Sequence, residues 1–136
     1  MKIKYDADIL KYMSLFESLT RSKLKDCIVN ERVLFVVEPN EIGKAIGKNG
    51  SNVHRLEGIL NKKIRIVEFN PDVCQFVRNM LYPLQATEVN EENSVVTISG
   101  PDTKTKGLMI GRDAKNLNFL KDIVKRYFEV EDIKVV

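Results

Sequence analysis

Residues 43–50 read GKAIGKNG, and 64 positions further on residues 107–114 read GLMIGRDA. Each stretch is Gly-x-x-Ile-Gly followed by a cation (Lys48 or Arg112), then Asn49 or Asp113, then a small residue, Gly50 or Ala114. Glycine within an apolar, helix-like stretch normally costs stability, so its return at fixed spacing needs a reason. A helix that stops at Gly47 or Gly111, with a new one beginning four residues later, leaves a tight loop whose backbone N–H groups point outward. The second helix adds unsatisfied donors and the positive end of its dipole. That is chemistry for an anion. Lys48 and Arg112 put a charge in the loops, Lys44 and Arg55 flank the first, and Lys115 follows the second. Ile42 and Ile46, with Ile110 in the repeat, offer an apolar floor beside them. Phosphate outside and apolar surface inside is what a single-stranded nucleic acid presents to its binder.

The second stretch departs from the first in chemistry. Asp113 is acidic where an anion is to be received, and Ala114 adds a methyl where close backbone approach is wanted. Asn49 and Asp113 both precede a helix, and both types are good N-caps, which gives Asp113 a structural reading as well.

Charge supports a polyanionic partner. The chain is only +3 overall, yet residues 44–63 and 104–126 together carry twelve Lys or Arg against three carboxylates, leaving the remainder net acidic. Basic residues thus gather around the two glycine stretches instead of spreading over the surface.

Other chemistries fit less well. A nucleotide-binding phosphate loop needs four spacers between its glycines and a hydroxyl after the lysine; Gly43 to Gly47 has three, and Asn49 follows Lys48. Acid–base or nucleophilic catalysis needs convergent His, Cys or carboxylate groups, and His54 is the one histidine, read as a surface residue just after the first loop. Cys27 and Cys74 have no metal-ligand spacing and sit among apolar neighbours, so both read as buried free thiols. No enzyme, cofactor or metal is implied. No apolar run approaches a membrane span and the start, MKIKYDADIL, is charged, which points to a cytoplasmic protein.

The elements that must position the loops follow from periodicity. Ile9, Tyr12, Met13, Phe16 and Leu19 mark a helix over 6–20. LKDCIV (24–29) and RVLFVV (32–37) read as strands joined at Asn30-Glu31. Pro39-Asn40 starts a short helix that ends at Gly47 as a left-handed cap, a second helix starts near Ser51 with Val53, Leu56 and Leu60 on one face, and 63–69 is a strand. The order is α-β-β-α-α-β.

The same order then returns. Asn70-Pro71 reads as cap and first turn of a helix with Val73, Phe76, Val77, Met80 and Leu81 on one face. QATEV (85–89) and SVVTIS (94–99) form a hairpin around Asn90–Asn93; a short helix runs from about Asp102 to Gly111; Leu117, Leu120, Ile123, Val124 and Tyr127 mark a long helix, and 133–136 a last strand. The aromatic residues fall mainly among apolar neighbours and read as core. Repetition of a whole set of elements, beyond the eight-residue stretch, argues for one module used twice, over 1–69 and 70–136.

IGKNG between two helices, after a hairpin and before a strand, resembles the I-G-x-x-G loop of KH domains, which clamps four backbone nucleotides. An extra helix and strand ahead of the core resembles the prokaryotic, type II variant. Two such modules with almost no linker resemble the tandem KH portion of the NusA family of transcription factors, most closely its short archaeal form. The resemblance implies an α+β fold of two tandem type II KH modules, each a three-stranded sheet with helices on one face. It implies single-stranded RNA as partner, a role in transcription elongation, termination or antitermination, and possible contact with the transcription machinery. It assigns Gly47, Lys48, Asn49 and Gly50 to the first loop and Gly111, Arg112, Asp113 and Ala114 to the second. A second reading keeps the fold but makes the chain a protein-interaction scaffold or an accessory factor of ribosome or RNA processing.

Overall fold

The computed structural model describes residues 5–136, which fall into two compact units meeting in sequence at Asn70 and Pro71. The first unit opens with helix α1 (Ala7–Thr20), which starts where Asp6 Oδ1 accepts the Ile9 N–H at 2.8 Å and stops where Arg21 turns left-handed at φ 56°. Strands β1 (Leu24–Val29) and β2 (Val33–Val37) pair antiparallel. Their register sets Val29 opposite Val33, so the turn takes three residues, 30–32, and Arg32 belongs to it instead of to the strand.

Helices α2 (Ile42–Ile46) and α3 (Ser51–Leu60) then carry the chain to β3 (Ile64–Glu68), which lies parallel to β2 from Val33↔Ile64 to Val37↔Glu68. A parallel neighbour cannot be reached by a hairpin, and the two helices supply the crossover. Sheet order is β1-β2-β3. On one side of β2, Val33, Phe35 and Val37 join Phe16, Cys27, Ala45, Leu56 and Ile64 in a core, with the Phe16 and Phe35 rings stacked at 4.3 Å. Leu34 and Val36, on the opposite side of the pleat, are buried too. The start of α2 differs from the sequence reading: Asn40 is a left-handed turn residue at φ 69°, and Glu41 precedes the helix.

The second unit begins with α4 (Val73–Leu81), capped by Asp72, whose Oδ1 accepts the Cys74 N–H at 3.0 Å. The cap is thus Asp72 and not Asn70, while the five residues assigned to the apolar face are the five that are buried. Cys74 is half-buried instead of buried; desolvation, then the Asp72 carboxylate, pushes its thiol above the usual range. Phe76 packs edge-on against Tyr127 at 5.6 Å.

Strands β4 (Glu88–Glu92) and β5 (Val95–Ser99) form a hairpin whose turn is Asn93-Ser94, both left-handed at φ 51° and 64°. The polar run 90–92, read from sequence as turn, is therefore strand. A two-residue turn with both residues at positive φ matches the twist of antiparallel strands. Val89 is the one buried side chain of β4, so the strand carries no alternating apolar signal. Helix α5 (Thr103–Ile110) starts where Asp102 Oδ1 accepts the Thr105 N–H at 2.6 Å. Helix α6 (Lys115–Tyr127) leads to β6 (Asp132–Val135), parallel to β5, with Lys121 Nζ 2.9 Å from Asp132 Oδ1. Order β4-β5-β6 matches that of the first sheet. Among the described residues no helix is long and apolar enough to cross a membrane.

Candidate nucleic-acid interface

The two glycine stretches fold almost alike. Gly47 sits at φ 77°, ψ 169° and Gly111 at φ 76°, ψ 171°. This is not the left-handed helical cap the sequence suggested: φ is positive, but ψ is extended, a region essentially confined to glycine. Each glycine donates its own N–H back one turn, Gly47 to Gly43 O at 3.1 Å and Gly111 to Gly107 O at 2.8 Å, and then swings the chain out of the helix.

Three residues of 3-10 turn follow, Lys48–Gly50 and Arg112–Ala114. Asn49 and Asp113 are both left-handed at φ 56°, and so are the residues that immediately precede α3 and α6, Gly50 at φ 72° and Ala114 at φ 59°. The Gly50 and Ala114 N–H groups each reach back to the glycine carbonyl three residues earlier at 3.2 Å. Neither Asn49 nor Asp113 is the N-cap: that place belongs to Gly50 and Ala114, which have no side-chain acceptor. The capping explanation of Asp113 thus fails, and its carboxylate is exposed in the loop. Ala114 holds a left-handed conformation that its methyl disfavours.

Two residues not singled out from sequence complete the loops. Asn52 Nδ2 donates to the carbonyl of Lys44 at 3.1 Å, and Asn116 Nδ2 donates to that of Leu108 at 3.0 Å. A Cβ at Gly47 would lie 2.8 Å from Ser51 Oγ and 2.9 Å from Asn52 Nδ2; at Gly111 it would lie 2.7 Å from Asn116 Nδ2. Glycine is therefore fixed at both places by backbone angle and by crowding together. The signal was present in sequence, since an asparagine follows each of these glycines by five residues.

The flanking residues divide. Lys48, Asn49, Arg112 and Asp113 are exposed in the loops, Arg55 is exposed on α3, and Lys115 is exposed at the start of α6. Lys44 is exposed on α2 with Nζ 3.7 Å from Glu41 Oε2, a surface pair of little energetic weight that a polyanion can displace. Ile42 packs partly against the core of the first unit, so it backs the loop more than it lines a surface; Ile46 and Ile110 are half-buried at the ends of α2 and α5. The place of Lys44 is taken in the second unit by Leu108, which is 51% exposed. His54 is exposed, with Nε2 3.7 Å from where a Cβ on Gly50 would stand.

A helix broken by a glycine-bounded loop, set between an antiparallel hairpin and a parallel closing strand, is the arrangement of a KH domain, and residues 11–74 match the family model described as KH domain. Relatives align over nearly the whole chain. "Probable transcription termination protein NusA" of Methanocaldococcus jannaschii is 32% identical over 99% of this chain and 76% of its own length. The protein so named in Halococcus morrhuae is 32% identical over 99% of both chains. The crystal structure of APE1850 superposes with a TM-score of 0.76 at 29% identity, covering 97% of this chain and 100% of that one. The chain belongs to the archaeal NusA-like family of KH proteins.

Proposed function

We propose that the chain is a single-stranded RNA-binding protein acting in transcription elongation, termination or antitermination, built of two type II KH modules over residues 1–69 and 70–136. Residues 1–4 lie outside the described residues. The observation that carries this reading is the pair of loops at Gly47–Gly50 and Gly111–Ala114, near-identical in backbone and each flanked by exposed cations. The names of the relatives support the assignment to transcription. The function is binding without catalysis and without a cofactor, and the compartment is the cytoplasm.

In this reading the first loop grips the phosphate backbone through its N–H groups, with Lys44, Lys48 and Arg55 as charged partners. Ile46 lies at the inner side, where bases would turn. Backbone clamping carries no sequence information by itself. The second loop binds more weakly, because Asp113 opposes a phosphate and Ala114 narrows the approach, while Arg112 and Lys115 offset part of that repulsion. The transcription machinery is a further partner on the strength of the relatives' names alone.

Lys48→Asp combined with Asn49→Asp tests it. Both positions are exposed loop, so the fold is expected to survive. Affinity for single-stranded RNA, read by fluorescence anisotropy, is expected to fall at least about tenfold, with a shallower dependence of log K on log salt because fewer phosphates are neutralised. A folded double variant with unchanged affinity and salt slope sinks the proposal and favours a protein-interaction scaffold.

A further inference from the structure

In an uninterrupted helix the Lys48 N–H would bond to the carbonyl of Lys44, four residues back. Gly47 prevents this by turning the chain at φ 77°, ψ 169°. Two groups lose their partners at that step: the Lys44 carbonyl and the Lys48 N–H. The Asn52 side chain supplies the first with a replacement donor at 3.1 Å. The second unit repeats the exchange, with Gly111 turning the chain and Asn116 Nδ2 reaching the Leu108 carbonyl, four residues before Arg112, at 3.0 Å. The backbone bonds of the first loop engage the N–H groups of Gly47, Gly50 and Ser51, which leaves Lys48 and Asn49 outside that ladder.

We infer that Asn52 and Asn116 are positioning residues that hold each loop open by standing in for the backbone donor. Each takes the carbonyl to which the Lys48 or Arg112 N–H would otherwise return, so that this N–H stays available to a phosphate oxygen. The proposal rests on the RNA-binding reading of the loops and says which residues keep them competent. Three observations meet in it. The asparagine stands at the same offset in both units; it bonds the one carbonyl that matters; and the glycine beside it has no room for a side chain, with Asn52 Nδ2 2.9 Å and Asn116 Nδ2 2.7 Å from the place of a Cβ. A merely decorative surface asparagine would not be crowded against the turn in both copies.

Asn52→Leu keeps the approximate size of the side chain and removes the donor, and Asn52→Asp keeps its shape and cannot donate to a carbonyl. The probe is a fluorescently labelled, mixed-sequence single-stranded RNA of about a dozen nucleotides, long enough for more than one clamp. Affinity is expected to fall by about tenfold in either variant, the scale of one hydrogen-bonding arrangement lost. The amide resonances of Lys48 and Asn49, which should shift on RNA addition to the unaltered protein, should cease to respond. Lys48→Ala, which removes only a side-chain charge, should lower affinity and leave those amide shifts in place. One measurement needs no variant: without RNA the Lys48 and Arg112 amides should exchange rapidly with solvent, and RNA should protect the Lys48 amide. A Lys48 amide already protected in free protein overturns the inference, as does a folded Asn52 variant with undiminished affinity and amide response. RNA binding that leaves the Lys48 and Asn49 amides unmoved in the unaltered protein overturns the functional reading itself.

Discussion

Asn49 and Asp113 hold the same backbone conformation, φ 56° in both with ψ 29° and 31°, so what separates them is a charge. Because neither caps a helix, exchanging one for the other changes the loop's electrostatics without removing a structural hydrogen bond. At about 5 Å a carboxylate and a phosphate repel by roughly 1 to 3 kcal/mol between bulk-water and protein-surface dielectric, and salt screens part of this. Asp113→Asn is accordingly expected to tighten RNA binding several-fold at low salt, and Asp113→Asn with Ala114→Gly more. Anisotropy titrations at two salt concentrations check it. No gain from the folded double variant would mean that this loop does not receive RNA.

Ala114→Gly alone addresses stability. Alanine at φ 59° is held in a left-handed conformation, whereas its counterpart Gly50 at φ 72° is at ease there. Relief of that strain, less the extra freedom glycine has when unfolded, should stabilise the second unit by about 0.5 to 1 kcal/mol. Chemical denaturation followed by circular dichroism reads the shift, and a loss of stability would contradict it.

Glycines in the first unit should respond in opposite directions. Gly47→Ala places a Cβ 2.8 Å from Ser51 Oγ at a backbone angle reserved for glycine, and should destabilise by about 2 kcal/mol or more. Gly58 lies inside α3, where a Cβ would meet nothing within 4 Å. Gly58→Ala should therefore stabilise by about 0.5 to 1 kcal/mol. Equal effects of the two substitutions on the denaturation midpoint would refute the distinction.

Acid sensitivity of the second unit should be traceable in part to Asp102. The hydrogen bonds from Thr105, backbone first, hold its carboxyl below the usual range. A carboxyl with a depressed folded value favours folding above its unfolded pKa and loses that contribution as pH falls through the folded one. Asp102→Asn keeps a capping oxygen but does not titrate, so the variant's stability should vary less with pH on the acid side. Parallel acid-side profiles for both proteins would exclude the assignment.

What the sequence revealed depended on whether a position is decided by its neighbours or by distant groups. The five apolar residues of α4 were legible because burial imposes a helical period on them, and Leu24–Val29 because four of its six residues, Leu24, Cys27, Ile28 and Val29, are apolar. β4 was misplaced because a strand with a single buried residue, Val89, has no period to read, and its polar run resembles a turn. Asp72 was passed over as a cap in favour of Asn70 since both types cap well and only the path of the chain chooses between them. At the loops the glycines announced themselves by repetition. The ψ of Gly47 did not, and the asparagine repeated five residues after each glycine did not by itself show that Asn52 reaches back to Lys44, because both depend on how the chain leaves one helix and enters the next.

Strand β4 is the outer strand of its sheet, and Glu88, Asn90, Glu91 and Glu92 stand exposed along it. An uncovered strand edge is a template on which a second molecule can align its own backbone, and here α4 packs beside β4 and the Cys74 thiol meets the Glu91 backbone, so the edge is covered in part. If two copies met edge to edge here, carboxylates would be brought against carboxylates along the seam, an arrangement that opposes the pairing. The residues that gave the hairpin no legible pattern would thereby oppose edge-to-edge pairing of two copies. The same row of negative charge would also repel a polyanion from this margin of the second sheet.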